Sequence, residues 1–263
     1  MRQVPSRHGT SIERMLWLQR QRRSNRPLAP VLVAVAMALT LTLLIAGGAR
    51  AQQPAAGERF VVAPYLIDVT TESATVAFHL SRPLAAEVRV QIGDELRRFP
   101  SPQAKRAHFV SVTGLSPSQA YRYEVEAGAG AVVTPAGDPS YQIRTASRAG
   151  ESFTFVAYGD PRPGDTQTHR HHRLLVEQRL LEEPAFSLVH GALGDAGTDA
   201  SKWQAFFEVE AELRRRSAIF PVLGDHDHVL GNGRWSEYFP SVGPEHYRFI
   251  WGGIHFFGMR AWD

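Results

Sequence analysis

The sequence predicts two folded regions, an all-β sandwich followed by an incomplete α/β domain. The first observation is a series of short segments in residues 59–147 that are rich in β-branched and aromatic residues and are separated by Ser, Pro, Gly and Asp. The second observation is a change, in residues 151–263, to strand patterns that alternate with helix patterns. Such alternation predicts parallel strands within one sheet.

The chain begins with an arginine-rich leader and an apolar run. Residues 31–47 (VLVAVAMALTLTLLIAG) carry no charge, and Ala49-Arg50-Ala51 follows them. This arrangement is typical of an export signal cleaved before Gln52, which predicts a secreted or periplasmic protein. The alternative is an uncleaved membrane anchor, because about 17 apolar residues suffice to span a bilayer. Residues 1–51 are therefore a signal peptide or an anchor, and residues 52–58 are a linker.

The net charge of +3 comes from this leader. Residues 1–51 contain eight arginines and one acid, Glu13, so the totals of 29 basic and 26 acidic residues fall to 21 and 25 in the remaining chain. A basic surface for nucleic acid is therefore not expected. Because the chain has no cysteine, the exported part must be stable without disulfides, and no thiolate can act as a nucleophile or metal ligand.

The first region contains six predicted strands, which cover residues 60–65, 73–80, 86–92, 108–112, 121–126 and 141–145. Short strands at this spacing predict a β-sandwich. Residues 114–123 (GLSPSQAYRY) have the pattern of a tyrosine corner, in which a phenol hydrogen-bonds to the chain upstream. We expect Phe78, Tyr121 and Tyr123 to be packing residues and not ligand contacts.

Together with residues 63–66 (APYL) and 75–78 (TVAF), this pattern resembles a fibronectin type III domain. More narrowly, it resembles the amino-terminal domain of purple acid phosphatases. The resemblance covers residues 59–147, to which we assign no chemistry.

The second region alternates strands at residues 153–158, 186–190 and 219–223 with helices at residues 172–182 and 202–215. The helical spacing of Trp203, Phe206, Phe207 and Ala211 predicts an apolar stripe that packs on a sheet. Each strand is followed by glycine and then by Asp or His. Ligands bind at the carboxyl ends of parallel strands, so these groups are expected to converge on one crevice. Asp and His side chains suit a hard or borderline cation.

Three blocks at these strand ends are residues 156–160 (VAYGD), 188–191 (LVHG) and 221–227 (PVLGDHD). In this order they resemble the motifs of calcineurin-like metallophosphoesterases. The resemblance covers roughly residues 153–260, and with the first region it is of the purple acid phosphatase type.

The resemblance implies a pair of metal ions, Fe, Zn or Mn, that share a bridging carboxylate and a hydroxide that attacks a phosphate ester. It implies that Asp160 is a metal ligand and that Asp225 takes the ligand position of the family's asparagine, which adds negative charge to the metal pair. It also implies that His226 assists the leaving oxygen.

The sequence departs from the family at two further positions. An ungapped alignment of the second block puts the bridging aspartate at Ala192, whose methyl group binds nothing, whereas a three-residue slip puts it at Asp195. Asp195 is therefore the third candidate metal ligand. In the first block, Arg162 stands where the family often has histidine, and a guanidinium cannot be a ligand.

Other histidines are weaker candidates. His169, His171 and His172 could substitute for the missing ligand, but three histidines at the start of a helix are expected to form a solvated face. Residues 251–257 (WGGIHFF) resemble the strand that precedes the family's later histidine loops, and His255 in this strand is expected to be structural. The chain ends at Asp263, so the carboxyl-terminal half of the family fold, with its further ligands, is expected to be absent.

The sequence supports two main hypotheses. The first is an exported, metal-dependent phosphoesterase that acts on phosphate esters and touches the membrane only through its leader. The second is a degenerate phosphatase-like binding module, or a gene fragment, without catalysis. A third is an enzyme completed by another polypeptide that supplies the missing half.

Overall fold

The structure, a computed structural model, describes residues 58–162, 166–194, 197–242 and 246–260. Residues 1–57, and with them the predicted leader and nearly all of the linker, lie outside the described residues. The described part is mostly β. Six strands come first and join into one curled sheet, with bounds β1 Phe60–Ile67, β2 Ser73–Ile92, β3 Glu95–Thr113, β4 Ala120–Ala127, β5 Val132–Val133 and β6 Gln142–Arg144.

Apolar side chains alternate along these strands and form the buried core, as the sequence predicts. Phe78, Tyr121 and Tyr123 are all buried, which confirms that they pack in the interior. The tyrosine corner is also present, because the backbone N–H of Ser116 donates to the Tyr121 hydroxyl at 2.8 Å. All six strands pair antiparallel in one hydrogen-bonded sheet. The more specific expectation, a fibronectin-type sandwich, stays a prediction.

Two predicted strands, residues 73–80 and 86–92, are joined in the continuous strand β2. Pro83 lies between them and suggested a break, since proline cannot donate to a strand ladder. The ladder tolerates it because the pairing of β2 with β3 shifts register between His79 and Leu84. Strand β3 also begins earlier than predicted, at Glu95, after a two-residue turn in which Gly93 has a φ of 60°.

The second region is built on three parallel strands, β7 Phe155–Gly159, β8 Phe186–His190 and β9 Ala218–Val222, in that spatial order. Helices α1 Thr166–Leu181 and α2 Ala200–Arg214 connect them. Two shorter helices follow, α3 Asp225–Asn232 and α4 Trp235–Tyr238. The predicted order of strands and helices and the parallel pairing are confirmed. No helix in these residues is long and apolar enough to cross a membrane.

Helix α2 connects the two regions through its apolar stripe. Asp199 caps the helix by accepting from the Ser201 N–H at 2.8 Å, and Trp203, Phe206 and Phe207 are buried as predicted. The Phe207 ring lies 4.6 Å from the ring of Tyr65 in β1, measured between centroids. The Tyr65 hydroxyl also donates to the Tyr238 carbonyl of α4 at 2.7 Å.

A β-hairpin covers the face of the parallel sheet that the long helices leave open. Its strands are β10 His246–Trp251 and β11 Ile254–Met259. The strand predicted through residues 251–257 is found only from Ile254 onward, because Gly252 and Gly253 adopt φ values of 61° and 81° and turn the chain back. Phe249 of β10 stacks on Phe220 of β9 with 3.6 Å between ring centroids.

Candidate functional site

Three turns meet at the carboxyl edge of the parallel sheet and surround a cavity of about 600 Å³. Asp160 follows β7, Gly191 and Ala192 follow β8, and Asp225 and His226 follow β9. The structure therefore brings together Asp160, Asp225 and His226 around one cavity, as the sequence predicts. Asp195 lies outside the described residues, and the choice between it and Ala192 for the bridging position stays open.

Close backbone contact holds the second and third turns together. A Cβ atom added to Gly224 would lie 2.2 Å from the Ala192 nitrogen, so only glycine fits there. The buried carboxylate of Asp227 then joins the turns by accepting from the N–H groups of Gly194 at 3.1 Å and Gly224 at 3.0 Å. Burial raises the pKa of Asp227 to about 6, although its backbone hydrogen bonds act in the opposite direction.

Sequence reasoning gave Asp227 no role, although a signal was present. An acidic residue three positions after an N-cap reaches back to the N-cap N–H, which is the pattern of Gly224 and Asp227. His190 was also missed as a site residue. It is exposed at the end of β8 and lines the same cavity.

Arg162 makes the main side-chain contacts between the first and third turns. Its guanidinium forms a two-point ion pair with Asp160, in which Nη2 donates to Oδ2 at 2.7 Å and Nε contacts Oδ1. Its Nη1 lies 2.9 Å from Nε2 of His226. A guanidinium can only donate, so Nε2 of His226 accepts and the ring proton resides on Nδ1. The sequence excluded Arg162 as a ligand and did not anticipate these contacts.

Two residues of the site have left-handed backbone conformations. Asp160 has a φ of 57° and Ala192 a φ of 50°. Aspartate tolerates this region because its short polar side chain can bond locally, whereas alanine pays a steric cost. The turns are tied to one another, since the N–H of Asp160 donates to the Gly191 carbonyl at 3.2 Å and that of Arg162 to the Ala192 carbonyl at 3.2 Å.

The donor set in the described residues does not fit the two-metal centre that the family resemblance implies. Both carboxylate oxygens of Asp160 face the Arg162 guanidinium, the accepting nitrogen of His226 does the same, and Ala192 has no donor. Within the part of the chain that the structure describes, no three His, Asp or Glu side chains are grouped so that they could hold a metal ion.

The histidines of α1 differ from the predicted solvated face. His171 is exposed, but the prediction is wrong for His172, which is 2% exposed and has Nε2 2.5 Å from Oε1 of Glu210 on α2. None of His169, His171 and His172 lines the cavity. His255 lies exposed on β11 and is also absent from the cavity wall.

Glu210 is the centre of a second charged cluster, buried between the helices and the sheet. Arg179 donates to its Oε1 at 2.9 Å and Arg214 to its Oε2 at 3.0 Å, and the Tyr158 hydroxyl donates to Oε1 at 2.9 Å. Burial raises the pKa of Glu210, but the charges of Arg214, His172 and Arg179 and the hydrogen bond from His172 outweigh burial and lower the pKa to about 2. Glu210 is therefore ionised at neutral pH.

No protein-family model and no curated protein matches the chain. Among solved structures, it is similar to a purple acid phosphatase from yellow lupin (Lupinus luteus) seeds, with 14% identity and a TM-score of 0.52 over 63% of this chain and 36% of that one. It is also similar to PhoD, with 12% identity and a TM-score of 0.52 over 75% of this chain and 51% of that one. The chain thus spans about half or less of the length of these proteins. At such identities the likeness concerns the fold, which is phosphatase-like.

Proposed function

We propose that this chain is a phosphoesterase-type protein whose cavity receives the phosphoryl group of a phosphate ester. The observation that supports it is the convergence of Asp160, Arg162 and His226 on one cavity at the carboxyl edge of parallel strands. Ligands of open α/β sheets bind at this edge. The likeness of the fold to two phosphatases makes a phosphate ester the ligand class that we favour.

The charges around the cavity favour a phosphoryl group of low charge. The Arg162 fork matches phosphate oxygens, and the amino end of α3, which begins at Asp225, offers backbone N–H groups to an anion. The carboxylates of Asp160 and Asp225 oppose a dianion. We therefore expect weak binding, with a Kd on the order of 1 mM for inorganic phosphate, or about −4 kcal/mol.

The cavity also has an apolar wall that suits the organic part of an ester. Phe257 and Met259 of β11 line it, and their side chains are exposed to 63% and 68%. An aryl or alkyl group can bury apolar surface against them. We expect Phe257→Ala to raise the KM or Kd for an aryl phosphate severalfold and to leave the Kd for inorganic phosphate within twofold. Equal changes for both ligands would contradict this role.

We further propose that the site hydrolyses the ester that it binds. Water would attack phosphorus as the ester P–O bond breaks, losing a proton to solvent, and His226 would donate a proton from Nε2 to the leaving oxygen. This requires that Arg162 release Nε2 when a phosphoryl group takes up the guanidinium, and that Nε2 then take a proton from solvent before it donates one. The described donors do not fit two metal ions, so the proposal does not depend on a metal. Hydrolysis is therefore measured both with and without Fe, Zn or Mn.

Binding without turnover is the second candidate function. Two observations favour it: Ala192, which lines the cavity among the described residues, carries no carboxylate, and Nε2 of His226 is engaged by Arg162. Such a protein would bind the phosphate ester and release it unchanged.

The test is hydrolysis of p-nitrophenyl phosphate and bis(p-nitrophenyl) phosphate, with and without Mn, Zn or Fe, beside NMR titration with phenyl phosphate. We expect phenyl phosphate to shift the His226 resonances, and any turnover to disappear in Asp160→Ala and His226→Ala. His255→Ala, outside the cavity, is the control and is expected to match the parent. Binding without hydrolysis supports the second candidate, and absence of both contradicts the proposal.

We further propose that the protein acts outside the cytoplasm and that residues 59–147 form a fibronectin-like domain ahead of the phosphoesterase-type residues 151–263. The supporting observation is the apolar run at residues 31–47 with Ala49-Arg50-Ala51 after it. Cell fractionation and amino-terminal sequencing test the location. A mature terminus at Gln52 supports export with cleavage, and an intact chain in the membrane supports an anchor. Recovery of the intact chain from the cytoplasm contradicts both.

A further inference from the structure

The contacts of Arg162 engage two of the side chains in the cavity that could bind a cation, Asp160 and His226. Its guanidinium faces both oxygens of Asp160, and its Nη1 donates to Nε2 of His226. An imidazole nitrogen has one lone pair, so Nε2 cannot accept from Arg162 and bind a metal ion together. A carboxylate oxygen has further lone pairs, but an ion bound there would lie within a few ångströms of a full positive charge.

The position of Arg162 is fixed by its backbone as well as by its side chain. Its N–H donates to the Ala192 carbonyl, and the N–H of Asp160 donates to the Gly191 carbonyl. These bonds attach the first turn to the second turn and direct the arginine toward the third. The side chain of Arg162 is 37% exposed and that of Asp160 is 58% exposed, so the ion pair is open to solvent and to added ions.

We infer that Arg162 serves as a fixed internal cation that closes Asp160 and His226 to divalent metal ions. The positive charge beside Asp160 and His226 is then supplied by a side chain of the protein itself. This inference goes beyond the proposed function, because it concerns which cation the site holds whether or not a phosphate ester binds there.

Removal of Arg162 would make the cavity more negative, and this change in charge should have a measurable effect on metal binding. With Arg162 present, the positive charge of its guanidinium balances the negative charge of the Asp160 carboxylate. Without it, Asp160 and Asp225 would both face the cavity with negative charge, which attracts a divalent ion. Substitution of Arg162 is therefore expected to raise the metal affinity above that of the parent.

The experiment is calorimetric titration of the full chain with MnCl₂ and ZnCl₂, without any phosphate ester. Arg162→Gln removes the charge and keeps the side-chain length, and Arg162→His places an imidazole two residues after Asp160. We expect both variants to bind at least one of the two metals at least tenfold more tightly than the parent. We expect this gain to vanish when Asp160→Asn is added. Arg148→Gln is the matched control, because Arg148 pairs with Glu151 outside the cavity.

Two results would overturn the inference. The first is a parent protein whose metal affinity falls tenfold or more in Asp160→Asn, which would show that Asp160 already binds a metal beside Arg162. The second is an unchanged metal affinity in both Arg162 variants, when their circular dichroism spectra and melting temperatures match those of the parent. Histidine ¹⁵N chemical shifts give an independent readout: we expect the His226 proton on Nδ1 in the parent, and a proton on Nε2 in its neutral ring would also overturn the inference.

Discussion

The chain contains two clusters with the same three kinds of group, a carboxylate, arginine and histidine, in opposite surroundings. Glu210, Arg214 and His172 are buried, with Glu210 fully inaccessible. Asp160, Arg162 and His226 lie at the open edge of the same parallel sheet, where Asp160 is 58% exposed. Burial makes the loss of a charged contact in the first cluster costly for stability, whereas solvent leaves the second cluster free to exchange partners. The residue types in a cluster therefore do not reveal its role unless the burial of the cluster is also known.

The largest effect is expected from removing the buried charge. Glu210→Gln leaves Arg214 and Arg179 without their common counter-ion in the interior and His172 without its carboxylate partner, so we expect a loss of about 3–5 kcal/mol in the free energy of unfolding. Urea denaturation measures it. Glu212→Gln on the same helix is the matched control, because Glu212 is 55% exposed and lies 4.0 Å from Arg216. Equal losses in both variants would remove the distinction between buried and exposed pairs.

The pH dependence of stability is expected to follow the buried cluster. The folded-state pKa of Glu210 is lowered from 4.5 to about 2, so its contribution is complete above about pH 4.5 and is lost as the pH falls toward 2. A shift of this size corresponds to about 3 kcal/mol. Urea midpoints measured from pH 6 to pH 3 should fall less steeply in Glu210→Gln than in the parent. Parallel curves would contradict this assignment.

A smaller effect is expected from Tyr158, which connects the two clusters along β7. Tyr158→Phe removes the hydroxyl that donates to Glu210 and accepts from Arg214 at 3.3 Å, at a cost of about 1 kcal/mol. The aromatic ring is kept in this variant and can still contact Arg179, whose guanidinium carbon lies 3.4 Å from the ring centre. Tyr247→Phe is the control, since the buried Tyr247 hydroxyl has no hydrogen-bond partner within the described residues. We expect phosphate affinity to stay within twofold, and a larger change would show that the clusters are coupled.

The smallest effect on stability is expected at the open cluster. Arg162→Gln breaks a solvent-exposed ion pair, so the free energy of unfolding should change by less than about 1 kcal/mol. The same variant is expected to change metal affinity at least tenfold. A large loss of stability would place Arg162 among the residues that hold the fold, and would make the two clusters alike.

The sequence predicted most of the elements and the edge at which Asp160, Asp225 and His226 meet, because strand and helix patterns are local and parallel strands share one carboxyl edge. It did not predict the Glu210 cluster. Charged residues on helices are mostly solvated, and the burial of Glu210 depends on His172 and Arg179, which lie 38 and 31 residues away along the chain.

Local pattern also failed at two other places. Residues 251–257 read as one apolar strand, and only the positive φ values of Gly252 and Gly253 make them a hairpin. Arg162 was excluded as a ligand from its chemistry alone. Its contact with His226 spans 64 residues and exists only when the first and third turns are brought together.

The left-handed conformation of Ala192 has a consequence for the residues that this turn can accept. Aspartate, asparagine and glycine adopt this conformation with less strain than alanine does. The backbone of the turn therefore suits an aspartate at this position better than the alanine that it carries. Ala192→Asp should leave the melting temperature unchanged or raise it slightly, in contrast to most substitutions of a buried alanine by a charged residue. A single substitution would then place a carboxylate at this position of the second turn without rebuilding the loop.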